Sequence, residues 1–143
     1  MVPKPEPAVA EVFSSYPVAI RKQLTKVRRL IFQTAAATDG VGPVTEALRW
    51  GEPAYLTLAS KSGSTIRLGW KKAAPAQWAM YFNCQTNLVD GFRTRFPELR
   101  FEGNRAVVFD ATEKMPLESL AECVAAGLTY HRDKRVRRVG AGR

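Results

Sequence analysis

Apolar residues recur every three or four positions near the N-terminus, as they do along one face of an α-helix. They form a single stripe of Ile20, Leu24, Val27 and Ile31. The helical pattern extends over residues 8–37, and Pro17 interrupts it at a point that suits the first turn of a new helix. The pattern therefore predicts two consecutive helices.

A short third helix is predicted at residues 43–50. Pro43 suits its first position, and Glu46 would lie in its first turn, where a carboxylate is favourable. Gly51 can adopt the left-handed conformation that ends many helices. In such a helix Glu46 and Trp50 share a face, and Trp50 is expected to anchor the core.

Five strands and a last helix complete the pattern. The last helix opens at Pro116, and the strands are separated by turn-forming residues. The predicted strands are residues 55–59, 65–70, 78–83, 99–101 and 105–109. Strands that follow one another with short turns predict an α+β domain, in which the N-terminal and C-terminal helices pack on one face of a curved antiparallel sheet.

Alternation along the strands assigns their side chains to two faces. The side chains predicted to face the helices are Leu56, Leu58, Ile66, Leu68, Trp70, Met80 and Phe82. Those predicted to lie on the opposite face are Tyr55, Thr57, Arg67, Tyr81 and Asn83. The opposite face therefore combines aromatic and polar groups, as a binding surface, a dimer interface or a half-solvated sheet would.

The net charge of +9 is concentrated at the C-terminus, where the last twelve residues hold six basic residues and one acid and so supply +5. We predict one domain at residues 8–135, a flexible lead at 1–7 and a basic, disordered and dispensable tail at 136–143. A solvated charged end accounts for such a tail, so nucleic acid is not expected as a partner. The absence of a long apolar run and of a signal sequence predicts a cytoplasmic protein without membrane contact.

The residue types that hold metals and cofactors are scarce. The chain has one histidine, His131, and two distant cysteines, without the paired spacing of zinc sites. It also lacks the phosphate-binding glycine loops and the nucleophile motif of hydrolases. We therefore expect no metal and no cofactor, two reduced cysteines, and a His131 that packs or caps a helix.

Arg67 is the leading candidate for a binding residue, because a charge in the middle of a strand needs a partner. The predicted ligand-binding residues are Arg67, Tyr55, Tyr81, Asn83, Glu52 and Trp50. Their ligand would be a small anion or the equivalent group of a protein partner, including a second copy of this chain. Arg105 also lies beside a strand.

Two alternatives compete with this prediction. In the first, Arg67 only pairs with Glu46, Glu52 or another nearby acid and thereby stabilises the fold. In the second, the protein is an enzyme of unrecognised chemistry that uses Glu46, Glu52 or His131.

Six segments between about residues 11 and 134 follow a common pattern. They are Phe13-x-x-Tyr16-Pro17, Val27-Arg28-x-Leu30-Ile31, Glu46-x-Leu48-x-Trp50-Gly51-Glu52-Pro53-Ala54-Tyr55, Gly63-Ser64-Thr65-Ile66-Arg67-Leu68-Gly69, Phe101-Glu102-Gly103-Asn104-Arg105-Ala106 and Tyr130-His131-Arg132. Together they resemble the YdhG-like family of bacterial domains of unknown function. The resemblance implies helices packed on an antiparallel sheet, in a fold similar to frataxin.

The same resemblance raises an intracellular iron chaperone as a further alternative, because some members of the family carry that label. Frataxin-like iron binding uses an acidic ridge on the first helix. In this chain the corresponding stretch has Glu11 and then the basic residues Arg21, Lys22, Lys26, Arg28 and Arg29. Hard cations require clustered carboxylates, so the charge opposes this function even where the fold is shared.

Overall fold

The computed structural model describes the backbone of residues 2–141 and the side chains of residues 2–136. The elements in chain order are α1 (Pro7–Ser15), α2 (Val18–Ala36), β1 (Thr45–Arg49), β2 (Glu52–Leu56), β3 (Ile66–Gly69), β4 (Gln77–Tyr81), α3 (Leu88–Arg95), β5 (Arg100–Glu102), β6 (Ala106–Asp110), α4 (Leu117–Leu128) and α5 (Tyr130–Ala141). The strands form one antiparallel sheet in the order β1-β2-β3-β4-β6-β5. The α+β class is thus confirmed, with six strands instead of about five.

The core lies between the helices and one face of the sheet. The predicted apolar stripe of α2 is at most 1% exposed, and α2 contacts both α4 and β4. Four of the sheet residues predicted to face the helices join this core, Ile66, Leu68, Met80 and Phe82. Complete burial of such side chains is worth about 1.5–3 kcal/mol each, so this face holds the two layers together.

The predicted helix at residues 43–50 is wrong, because this segment forms β1. It pairs with β2 along its whole length through a two-residue turn. The turn residues, Trp50 and Gly51, have φ angles of 56° and 75°, and two positive φ values are what a type I′ hairpin requires. Gly51 is therefore left-handed as predicted, but it closes a hairpin. Local helix signals are weak over eight residues, and pairing with a neighbouring strand overrides them.

The predicted orientation of Tyr55 is also wrong. Tyr55 lies on the helix side, has no exposed surface and packs edge-on against Phe32, with 5.9 Å between the ring centroids. Its cross-strand partner is the core residue Ile66. The strand register places Tyr55 on this face, and its hydroxyl is satisfied there because it donates a hydrogen bond to the carboxylate of Glu46. A pattern of apolar and polar residues cannot reveal such a partner.

β2 ends at Leu56, so the predicted strand positions 57–59 lie outside it. Leu58 is 55% exposed and Leu56 is half-buried, although both were predicted to face the helices. Thr57 is buried, and its hydroxyl accepts a hydrogen bond from the amide of Gly63 at 3.0 Å. This bond shapes the loop that leads into β3.

The C-terminal helical region is divided into two helices at Thr129, where α4 ends. α5 continues to Ala141 and so passes through most of the segment predicted to be a disordered tail. Residues 142–143 and the side chains of residues 137–143 lie outside the described part of the chain, so the dispensability of the tail stays a prediction. Within residues 2–141 no helix has both the length and the apolar character needed to cross a membrane.

Candidate functional site

A row of side chains crosses the second face of the sheet, the face opposite the helical core. The strand register orders this row as Ala47, Ala54, Arg67, Tyr81, Ala106 and Glu102. The small alanines leave space for the two large side chains at the centre. The guanidinium carbon of Arg67 lies 5.2 Å from the ring centroid of Tyr81, within the range of a cation–π contact.

Arg67 is also ion-paired with Glu52, with Nη1 and Oε1 2.5 Å apart. The side chains of Arg67 and Glu52 are 27% and 19% exposed, respectively. Burial raises the pKa of Glu52, and the nearby Arg67 and Lys71 offset only part of that effect. Since a guanidinium has five N–H donors, pairing with Glu52 leaves Arg67 able to bind a further anion.

Gly69 provides the space in which this ion pair lies. A Cβ atom at this position would collide with Oε2 of Glu52 and would lie 2.7 Å from Cε2 of Tyr81. A side chain at Gly69 would therefore displace both groups that hold Arg67. Sequence reasoning did not assign Gly69 a role, because the requirement depends on which side chains cross over it.

Arg67 faces a cleft of about 330 Å³. The residues that line this cleft are Arg49, Trp50, Thr65, Arg67, Phe82, Asn83, Cys84 and Arg105. Three of them are arginines and none is an acid. The arginines come from the end of β1, from β3 and from the segment before β6, so only the folded chain brings their charges together.

The other two arginines of the cleft are solvent-exposed. Neither Arg49 nor Arg105 forms a salt bridge among the described side chains. Arg49 donates one hydrogen bond to the carbonyl oxygen of Leu48, at 3.0 Å. The cleft therefore combines one arginine that is held in place with two that are free to reach an anion.

Trp50 lines the cleft from the tip of the β1–β2 hairpin and is 90% exposed. The prediction that it anchors the core is wrong. Its left-handed conformation costs an L-residue roughly 1–2 kcal/mol, and type I′ turns prefer Asn followed by Gly. Among residues 2–136 every other Phe, Tyr and Trp is buried or half-buried. Neither the exposed indole nor the strained backbone stabilises the fold.

The structure brings together most of the predicted ligand-binding residues. Arg67, Asn83 and Trp50 line the cleft, while Glu52 and Tyr81 contact Arg67 beside it. Tyr55 does not belong to the group, because it lies on the opposite face.

Four residues that line the cleft were not predicted from the sequence as site residues: Arg49, Thr65, Phe82 and Cys84. The Trp50-Gly51 pair could have indicated the hairpin that carries Arg49, if it had been read as a turn.

Glu46 is the centre of a buried polar cluster on the helix side of the sheet. Its carboxylate accepts hydrogen bonds from Arg28 Nε at 2.6 Å and Nη2 at 3.1 Å, from the Tyr55 hydroxyl at 2.8 Å and from the Glu6 amide at 3.0 Å. The side chains of Glu46 and Arg28 are only 4% and 7% exposed. Burial and the neighbouring carboxylate raise the pKa of Tyr55. The cluster joins α2, β1 and β2 and leaves no lone pair directed at a cleft.

The three residues of the predicted enzyme alternative do not share a site. Glu46 lies on the helix side of the sheet and Glu52 on the second face. His131 is exposed on α5, where it lines a separate cleft with Lys61, Lys134 and Arg135. His131 was predicted to pack or to cap a helix. Its side chain is exposed rather than buried in the core, its ring lies edge-on to Tyr130 with 5.2 Å between the centroids, and its backbone amide donates to the carbonyl oxygen of Ser62 at 2.9 Å.

Among the described residues no three His, Cys, Asp or Glu side chains are grouped as metal ligands. Comparison of the chain with models of known protein families, with curated proteins and with solved structures gives no match. The resemblance to the YdhG-like family and the fold and iron-chaperone function it implies therefore stay predictions.

Proposed function

We propose that this protein is a binding module that holds a small anionic ligand in the cleft lined by Arg49, Arg67 and Arg105. The observation that carries the proposal is the convergence of three guanidinium groups from three separate segments on a cleft without a carboxylate in its lining. Guanidinium groups recognise phosphate and carboxylate through paired, charge-assisted N–H donors. Three such charges, of which only Arg67 has a carboxylate partner, make this cleft a site for an anion.

Arg67 is the anchor of the proposed site. Glu52 and Tyr81 restrict its side chain from one side, which reduces the conformational entropy lost when an anion binds. Asn83 adds a donor, because its Oδ1 already accepts the amide of Gln85 at 2.9 Å and its side-chain NH₂ group is left to donate. The cleft volume lies within the range of small-molecule sites.

The arrangement favours binding over catalysis. An acid–base mechanism requires two groups within reach of one substrate, and Glu46, Glu52 and His131 lie in three separate places. The positive charges of Arg49, Arg67 and Arg105 converge in the cleft, and no acid–base pair lies there with them.

The proposal is tested by neutralising one exposed arginine of the cleft, Arg105→Gln. The matched control is Arg100→Gln, an exposed arginine of the same sheet that pairs with Glu113 and does not line the cleft. Sulfate binding is measured by calorimetry in a buffer of low ionic strength. Loss of one charge-assisted hydrogen bond worth about 1.5–3 kcal/mol corresponds to a roughly 10- to 150-fold weaker affinity, whereas the control should bind as the wild type does.

Cys84 reports where the anion binds, because it is exposed and lines the cleft. The other cysteine, Cys123, is buried, and its burial raises the pKa of its thiol to about 12, so it will not react with an alkylating reagent at neutral pH. Sulfate should slow alkylation of Cys84 in the wild type and in Arg100→Gln. The proposal is overturned if sulfate gives no protection, or if the two variants lose affinity equally.

A further inference from the structure

We infer that the ligand of this cleft is a nucleoside phosphate, that is, a flat aromatic ring joined to a phosphate, and that its ring stacks on Trp50. The inference rests on the proposed function, because it places the phosphate on the cleft arginines. Its own observation is different: an exposed indole lines the same cleft, on a residue whose positive φ is required by the turn but is unfavourable for an aromatic L-residue.

Trp50 occupies a position for which folding alone would select another residue. Asn is the preferred residue at the first position of a type I′ turn, since it tolerates positive φ far better than an aromatic side chain does. Strained residues persist mainly where function requires them. An indole at the edge of an arginine cleft is suited to stack on another aromatic ring.

The number of exposed rings indicates one base rather than a strand of bases. Proteins that hold single-stranded nucleic acid stack successive bases on several aromatic side chains. Within residues 2–136 Trp50 is the only exposed side chain among Phe, Tyr and Trp. A cleft of about 330 Å³ is at the small end of ligand sites and suits a single nucleotide.

The inferred complex divides the ligand between two kinds of contact. The base lies on the indole of Trp50, at the hairpin tip. The phosphate is bound by Arg67, which Glu52 and Tyr81 hold in position, and by the exposed side chain of Arg105. Arg49 is adjacent to Trp50 in the chain and can contact a second phosphate.

The test compares three probes by calorimetry: adenosine 5′-monophosphate, ribose 5-phosphate and adenosine. The wild type should bind the nucleotide about 5- to 150-fold more tightly than the sugar phosphate, which is the contribution of one stacked base. Adenosine, which lacks the phosphate, should bind more weakly than the nucleotide. In Trp50→Asn the preference for the nucleotide over the sugar phosphate should disappear, and in Trp50→Phe, which keeps a ring, part of it should remain.

Thermal unfolding tests whether a folding defect causes the loss of nucleotide preference in Trp50→Asn. Because Asn suits the turn better than Trp, Trp50→Asn should raise the unfolding midpoint by about 2–5 °C while it abolishes the nucleotide preference. A variant that is more stable and yet loses only base-dependent affinity identifies Trp50 as a ligand contact.

The outcomes separate this inference from the proposed function. If the nucleotide and ribose 5-phosphate bind equally, and both weaken in Arg105→Gln, the inference is overturned and the anion site stands. If neither binds and sulfate does not protect Cys84, both are overturned. If a single-stranded octanucleotide binds through Trp50 and the mononucleotide does not, the inference is overturned in favour of a nucleic-acid ligand.

Discussion

The Glu52–Arg67 pair allows two substitutions that break the same contact and have opposite effects on binding. Arg67→Ala removes the anchor of the proposed site, so sulfate affinity should fall. Glu52→Gln removes the negative charge beside that anchor, so sulfate affinity should rise. If the pair only stabilises the fold, neither variant should change affinity except through partial unfolding.

The magnitudes follow from burial and distance. The pair is intermediate between an exposed ion pair, worth about 0–1 kcal/mol, and a buried one, whose disruption costs about 3–5 kcal/mol. Arg67→Ala leaves the partly buried Glu52 carboxylate without its partner and should therefore lose about 1–2 kcal/mol of unfolding free energy. Glu52→Gln should not lose stability through removal of the charge, because the raised pKa of Glu52 means that folding favours its neutral form. Charges roughly 6 Å apart interact with about 0.7 kcal/mol in water and about 2.8 kcal/mol at an effective dielectric constant of 20. Because sulfate carries two negative charges, loss of the Glu52 charge should strengthen its binding by at least this unit-charge interaction, about 3- to 100-fold.

Urea unfolding measures the stability of the two variants, and calorimetry measures their sulfate affinity under conditions where both are folded. Arg100→Gln serves again as the control for net charge. The reasoning is refuted if Glu52→Gln binds sulfate as weakly as Arg67→Ala does, because the pair would then act as one structural unit.

The pH dependence of stability and of sulfate affinity gives a second test of the effect of the Glu52 charge. The folded pKa of Glu52 lies above its unfolded value, so its contribution to stability is complete below the unfolded pKa and is lost as pH rises through the folded pKa. Over the same range its ionisation should weaken sulfate binding, since sulfate and the arginines keep their charges. The affinity should therefore increase as pH falls through the pKa of Glu52, and Glu52→Gln should not show the increase.

Two further predictions concern stability alone. Glu46→Leu leaves the guanidinium of Arg28 buried without a partner and should cost about 3–5 kcal/mol in urea unfolding; the double variant Arg28→Met/Glu46→Leu should recover part of this loss, since the buried Tyr55 hydroxyl still lacks its acceptor, and a double variant less stable than the single one would contradict the argument. Gly63→Ala would place a Cβ atom 2.5 Å from the carbonyl oxygen of Leu128 and should lower the unfolding free energy by about 1–3 kcal/mol, whereas Gly91→Ala, which meets no atom within 4 Å, is the control and should not.

The parts of the fold that were predicted correctly are those with a long local signal. α2 was found because its apolar stripe repeats over several turns, and each of its four residues is buried. The predicted strands were located within a few residues, since turn-forming residues bound them. The prediction for residues 43–50 was wrong, because β1 has only five residues and shows little alternation. Pro43 and Glu46, which suit the first turn of a helix, therefore outweighed the strand pattern.

The candidate site was predicted only in part, because a local sequence signal reveals an unusual residue but not the residues that it contacts. Arg67 was recognisable as a charge within a strand, and Trp50 and Asn83 were included with it. Tyr55 was placed on the wrong face, because an error of one position in a strand moves a side chain to the other face. The pairing of Arg67 with Glu52 could only be offered as one of several alternatives.

The sequence by itself determined the α+β class, the buried helix stripe and the presence of an unusual arginine in the sheet, because periodicity and isolated charges are local properties of the chain. The tertiary structure decided which groups meet. Arg49, Arg67 and Arg105 are far apart in the chain and converge on one cleft only through strand pairing, and Glu46 acquires its partners only when α2 packs against β1 and β2. Contacts between distant segments depend on register and packing, which no local pattern encodes.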